Sequence, residues 1–119
     1  MPNIISVYIN VLNKLPVMVL ITLAALSVIL GDYAAKAWSV NQKPIILLIS
    51  FLGYFLSAFF YIPTLLRESL IVSSVIWVLL STIGFLVIGI LIFKESLSTI
   101  QIIAVIFGVL SILVLGIAE

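Results

Sequence analysis

Four mostly apolar stretches of similar length, three of them uncharged, divide the chain. Leu15 to Gly31 carries no charge and, continued to Trp38, makes the first. Pro44 to Leu66, Ser69 to Phe93 and Ser96 to Ala118 make the other three. A bilayer core is crossed by about 20 apolar residues rising about 1.5 Å each. Within hydrocarbon each segment must satisfy its own backbone polar groups, so runs this long predict helices rather than barrel strands. The connections Asn41-Gln42-Lys43, Arg67-Glu68 and Lys94-Glu95-Ser96 are short, which makes neighbouring helices antiparallel. The pattern predicts an all-α membrane protein with four transmembrane helices in an up-down bundle, at about 15–38, 44–66, 69–93 and 96–118.

Residues 1–14 form a separate segment ahead of the transmembrane domain 15–119. Ile4, Ile5, Tyr8, Ile9, Val11 and Leu12 precede Lys14 and Pro16, and the stretch is too short to span. Two readings fit it: a brief interfacial helix that Pro16 redirects, or an extension of the first helix past a kink. Lys14, the apolar run and Ala35-Lys36-Ala37 imitate a signal peptide with its cleavage site. The apolar region is long for that role, and the segment is read as a retained helix. With alternating helices, Lys14 and Arg67 face one side and Lys36, Lys43 and Lys94 the other. That small bias suits insertion in both orientations, or with a slight preference for one.

Composition narrows the function. Hydrophobic residues make up 66% and charged residues 8%, against about a quarter charged in a soluble domain. A soluble enzyme is excluded. A net charge of +1 is too weak for a nucleic-acid surface. With neither Cys nor His, disulfides, zinc sites and imidazole acid–base work are also excluded. No nucleophile–base pair, metal constellation or cofactor motif stands out, so the chain is read as a non-enzyme without cofactors.

The polar residues that remain are patterned. Ser50, Tyr54, Ser57, Tyr61 and Thr64 recur at helical spacing in the second span, as do Ser73, Trp77, Ser81 and Gly84 in the third, with Ser74 at the edge. Together the stripes are expected to line a polar chamber. Residue by residue the alternative is that Ser and Thr bond helix carbonyls while Tyr and Trp sit at the interface. Asp32 is the one acid inside a spanning segment, and intramembrane ionisable residues mark ion or substrate pathways. A carboxylate there can hold a cationic substrate or a proton. The bland alternative is an ion pair with Lys36, four residues on. In the fourth span Ala104, Gly108 and Ser111 share a face whose small side chains suit close packing, within the bundle or against a second copy.

Over about residues 17–117 the chain resembles the small multidrug resistance family of the drug/metabolite transporter superfamily. Gly31 and Lys36 look like that family's Gly and Lys near the end of the first helix. Tyr54-x-x-Ser57 is similar to its second-helix pattern, and Ile76-Trp77 to its third-helix core. Phe93-x-Glu95-x-Leu97 resembles its Phe-Gly-Glu-x-Leu loop. There are departures. The family's catalytic first-helix Glu falls at Val28, its third-helix Tyr at Ser74, its Gly-x-Gly at Leu79-Leu80-Ser81, and its paired fourth-helix glycines at Ala104 and Ser111. Asp32 lies one turn beyond Val28, as a displaced carboxylate or in a site that has lost proton coupling. The stretch Ser27 to Lys36 also resembles the first helix of small flippase subunits for polyprenyl-phosphate-linked aminosugar.

The resemblance implies an antiparallel homodimer in a prokaryotic inner membrane, moving a small organic cation by alternating access with protons as a possible counter-ion. The expected binding residues are Asp32, Lys36, Tyr54, Ser57, Ser73, Ser74, Trp77 and Ser81, with Ala104, Gly108 and Ser111 packing the dimer. Rival readings are a lipid-linked aminosugar flippase or metabolite carrier without a proton step, and a non-transporting subunit of a larger membrane complex.

Overall fold

A computed structural model describes residues 3–118; Met1, Pro2 and Glu119, which the boundaries above include, lie outside the described residues. Those described form an all-α membrane protein: α1 (Ile4–Leu12), α2 (Val17–Val40), α3 (Pro44–Tyr61), α4 (Leu70–Val87) and α5 (Thr99–Ala118). A 3₁₀ turn, Ile62–Leu66, prolongs α3, and a π turn, Ile88–Ile92, prolongs α4. The continuous stretches Val17–Val40, Pro44–Leu66 and Leu70–Ile92 are long and apolar enough to cross a membrane, and α5 is a shorter apolar helix.

Local chemistry sets the helix boundaries. Asn3 caps α1 by accepting the Ser6 N–H at 2.8 Å. Pro44 opens α3, where its missing N–H costs nothing. Ser69 caps α4 by accepting the Val72 N–H at 3.1 Å. The last helix starts at Thr99, three residues later than the hydrophobic run suggested. Ser98 Oγ accepts the Gln101 N–H at 3.2 Å while Gln101 Oε1 accepts the Ser98 N–H at 2.9 Å, a reciprocal capping box.

The turn before it is tight. Lys94 holds a left-handed backbone, φ 53°, so that the Glu95 N–H reaches back to the Gly89 carbonyl at 2.9 Å. This is a Schellman-like closure widened by the preceding π turn. Lys94 stands where the resembled loop has Gly.

The first segment is a separate helix, broken from α2 at residues 13–16 rather than continuous with it. Leu12 is buried. The Arg67 guanidinium donates to the Leu15 carbonyl at 2.7 Å and the Asn13 carbonyl at 3.4 Å, pinning the α1–α2 turn to the end of α3.

The core lies where α2 meets α3, with Leu20, Ile21, Ala24, Ala25 and Ala34 buried. A Cβ on Gly53 would stand 2.6 Å from Gly31 N and 2.7 Å from Gly31 Cα, so the two backbones touch there. Ser50 Oγ donates to the Gly31 carbonyl at 2.9 Å and Ser57 Oγ to the Ala24 carbonyl at 2.7 Å across the same contact. Close approach of small residues is how membrane helices associate when no hydrophobic force drives them.

On its other side α2 packs on α4, where Gly84 makes room for the Ile29 side chain. Helix α5 packs mainly on α4. The result is a thin layer, 56 × 43 × 15 Å, with a radius of gyration of 16.4 Å, where a compact chain of this length would have about 13.5 Å. A single copy therefore does not close the expected four-helix bundle: α5 swings outward, and its Ala104, Gly108 and Ser111 are exposed. Among the described residues nothing outside its own helix turn lies within 4 Å of where a Gly108 Cβ would be.

Candidate functional site

The polar stripe of α3 divides between two jobs. Its small members, Ser50 and Ser57, are buried against α2 and bond carbonyls there. Thr64 is also fully buried, and its hydroxyl donates to the Tyr61 carbonyl at 2.6 Å. The two tyrosines point elsewhere. Tyr54 OH donates to Asp32 Oδ1 at 2.7 Å, and Tyr61 OH pairs with Ser74 Oγ at 2.7 Å.

A cavity of about 250 Å³ opens between α2, α3 and α4, with Tyr54, Ser57, Tyr61, Trp77 and Val28 in its wall. Trp77 Nε1 donates to Ser57 Oγ at 3.2 Å, and the Tyr61 and Trp77 rings lie 5.4 Å apart. Ser57 thus accepts from one helix while donating to another, which locks the indole in place. The cavity where the two stripes meet is lined by aromatic and apolar side chains with Ser57 as its one aliphatic hydroxyl, rather than by the polar set expected. Val28, where the resembled family has its Glu, lies in this wall.

Three other predicted residues sit apart from it. Ser81 Oγ donates to the Trp77 carbonyl at 2.7 Å, satisfying its own helix. Ser73 is fully buried near the start of α4, and its hydroxyl has no partner among the described residues. Ser74 reaches the chamber only through Tyr61.

A second cavity, about 170 Å³, holds the charges. Asp32, Lys36 and Glu95 line it together with Phe85, Gly89 and Phe93. Lys36 Nζ lies 3.5 Å from Glu95 Oε1, the one ion pair among the described residues. The i,i+4 pairing of Asp32 with Lys36 is therefore not what the structure has: Lys36 turns to the α4–α5 loop, and Asp32 takes its hydrogen bond from Tyr54. With both ends about half exposed (48% and 50%), the Lys36–Glu95 pair contributes no more than about 1 kcal/mol and breaks readily.

Glu95 is the residue that sequence reasoning left out of the site. Its signal was a short acidic loop motif, but nothing in periodicity says which way a loop side chain turns. The π turn and the left-handed Lys94 decide that. Two acidic side chains and one basic side chain thus share the cavity wall with the rings of Phe85 and Phe93. Tyr54 joins the two cavities: its ring walls the aromatic one, and its hydroxyl bonds the acid that lines the charged one. Among the described residues no cluster of acids could hold a metal ion.

No protein-family model and no curated protein matches the chain.

Proposed function

We propose that the chain is one subunit of a small membrane transporter for organic cations, working as a homodimer by alternating access. The observation that carries this reading is Asp32, an acid within an apolar span, held by Tyr54 where an aromatic cavity meets a charged one. A carboxylate so placed attracts a cation, the rings of Tyr54, Tyr61 and Trp77 contact its apolar part, and a proton competes for the same oxygen atoms. Lys36 and Glu95, at the cavity edge, tune the local charge.

The size of the cavities supports an assembly. At about 170 and 250 Å³ each is smaller than the roughly 300 Å³ at which drug-sized pockets begin. In this reading α5 is the fourth span, its Ala104–Gly108–Ser111 face meets the same face of an oppositely inserted copy, and α1 lies at the interface of a cell membrane. The thin single layer and the open space at Gly108 support that packing.

Val28 favours a second reading. An aromatic chamber without its own acid suits a carrier of lipid-linked or other metabolite substrates with no proton step. One experiment separates the two: uptake of guanidinium and quaternary ammonium compounds into proteoliposomes under an imposed pH gradient. Proton-driven cation flux that Asp32→Asn abolishes is expected. Gradient-independent flux that the variant retains would remove the proton step and the role of Asp32, and absence of any flux from folded protein would remove the cation reading for those compounds and favour the second reading.

A further inference from the structure

Transport chemistry at Asp32 gives α1 no work, yet α1 is held to α3 by an unusual bond. In a regular helix the carbonyl of Phe59 would accept the N–H of residue 63. That residue is Pro63, which has none, so a carbonyl within an apolar span loses its helical donor. In hydrocarbon such a group must find another partner. Tyr8 supplies it, donating from its hydroxyl to the Phe59 carbonyl at 2.6 Å, with the two rings 4.9 Å apart. Arg67 anchors the other end of α1 through the Asn13 and Leu15 carbonyls. Around the proline α3 tightens into its 3₁₀ turn, and Tyr8 and Arg67 hold the chain on either side of that turn.

That point is also chamber wall. Tyr61 and Ile62, immediately before the proline, line the aromatic cavity with Ala58. Ala58 and Ile62 line in addition an apolar groove of about 380 Å³ on the α1 side, opposite Ile4, Ile5 and Tyr8. One turn of α3 therefore separates α1 from the chamber.

We propose that α1 is a strap on the chamber wall. By donating to the carbonyl that Pro63 leaves without a helical partner, Tyr8 fixes where α3 tightens into its 3₁₀ turn, and that turn sets where Tyr61 stands against Trp77. Tyr8 is thus a positioning residue, and its action depends on the proline rather than on packing alone. The inference does not depend on what the chamber carries.

The test is a double-mutant comparison of Tyr8→Phe and Pro63→Ala. The chain has no Cys, so spin labels at Asn10→Cys and Gln42→Cys report one distance between α1 and the α2–α3 loop. The protein is placed in lipid nanodiscs with excess unlabelled chain to suppress signals between copies. A second readout is Trp77 fluorescence in a Trp38→Phe background, which reports the chamber.

The expected result is that Tyr8→Phe lowers the ratio of docked to undocked α1 by about threefold to tenfold and shifts Trp77 emission. Pro63→Ala, which gives the Phe59 carbonyl a helical donor, should undock α1 equally, and the double variant should go no further. Three outcomes would overturn the proposal: an unchanged distance distribution in Tyr8→Phe, a distribution that stays narrow in Pro63→Ala, or unchanged Trp77 emission when α1 undocks. None of these readouts requires transport, so failure here and failure of the transport reading are separate.

Discussion

Adding one methyl group at Gly53 tests the contact on which the fold depends. The new Cβ of Gly53→Ala would stand 2.6 Å from Gly31 N, 2.7 Å from Gly31 Cα and 2.9 Å from the Ser27 carbonyl, where non-bonded carbon contacts are most favourable at about 3.5–4.0 Å. All three neighbours are backbone, so no side chain can rotate away and the two helices must separate. Overpacking of this kind costs about 1–3 kcal/mol. Separation also stretches the Ser50–Gly31 and Ser57–Ala24 hydrogen bonds, each contributing about 0.6 kcal/mol in a membrane helix pair. Against this, Ala is about 1 kcal/mol better than Gly in a helix. The net expectation is a loss of about 1–3 kcal/mol. Gly108→Ala is the reference, because its Cβ meets open space in the single copy and only the propensity gain applies. Both are measured by reversible unfolding in mixed micelles dilute enough to keep the chain monomeric. If Gly53→Ala matches Gly108→Ala within about 0.5 kcal/mol, the backbone contact between α2 and α3 is refuted.

The same measurement checks three further contacts. Gly84→Ala should destabilise by about 1–3 kcal/mol, and Ile29→Ala introduced with it should recover at least half, because the nearest atoms to the new Cβ all belong to the Ile29 side chain; additive losses would contradict this. Lys94→Gly should stabilise by about 1 kcal/mol, since the left-handed backbone at φ 53° is open to Gly without penalty. Ser98→Ala removes the acceptor for the Gln101 N–H and should raise hydrogen exchange in the first turn of α5, at a cost of about 0.5–2 kcal/mol.

The spans were legible because hydrocarbon imposes a length and forbids charge, and both are written in composition. Asp32 was legible for the same reason, as the acid that breaks the rule. Periodicity found the right faces of α3 and α4 but could not apportion them. Ser57 and Tyr54 share a stripe, and only the close approach at Gly53 shows that the small members face α2 while the tyrosines reach the cavities. Two features escaped the pattern for different reasons. The turn of Lys36 to Glu95 depends on the loop's left-handed residue, which a Lys does not advertise. The outward course of α5 depends on tertiary contacts that a uniformly apolar helix does not encode. Tyr8 and Pro63 were each visible, but their link is a carbonyl, and no sequence pattern marks one.

In the proposed transporter Asp32 is the group that a cation occupies. Equilibrium binding of guanidinium to the purified protein in nanodiscs, followed by calorimetry across a pH series, tests it directly. A carboxylate shared between a proton and a cation loses cation affinity as pH falls, by up to about tenfold per unit on the acid side of its titration. That dependence is expected in the wild type, and in Asp32→Asn neither measurable binding nor any dependence on pH. Guanidinium binding of equal strength in Asp32→Asn would contradict it.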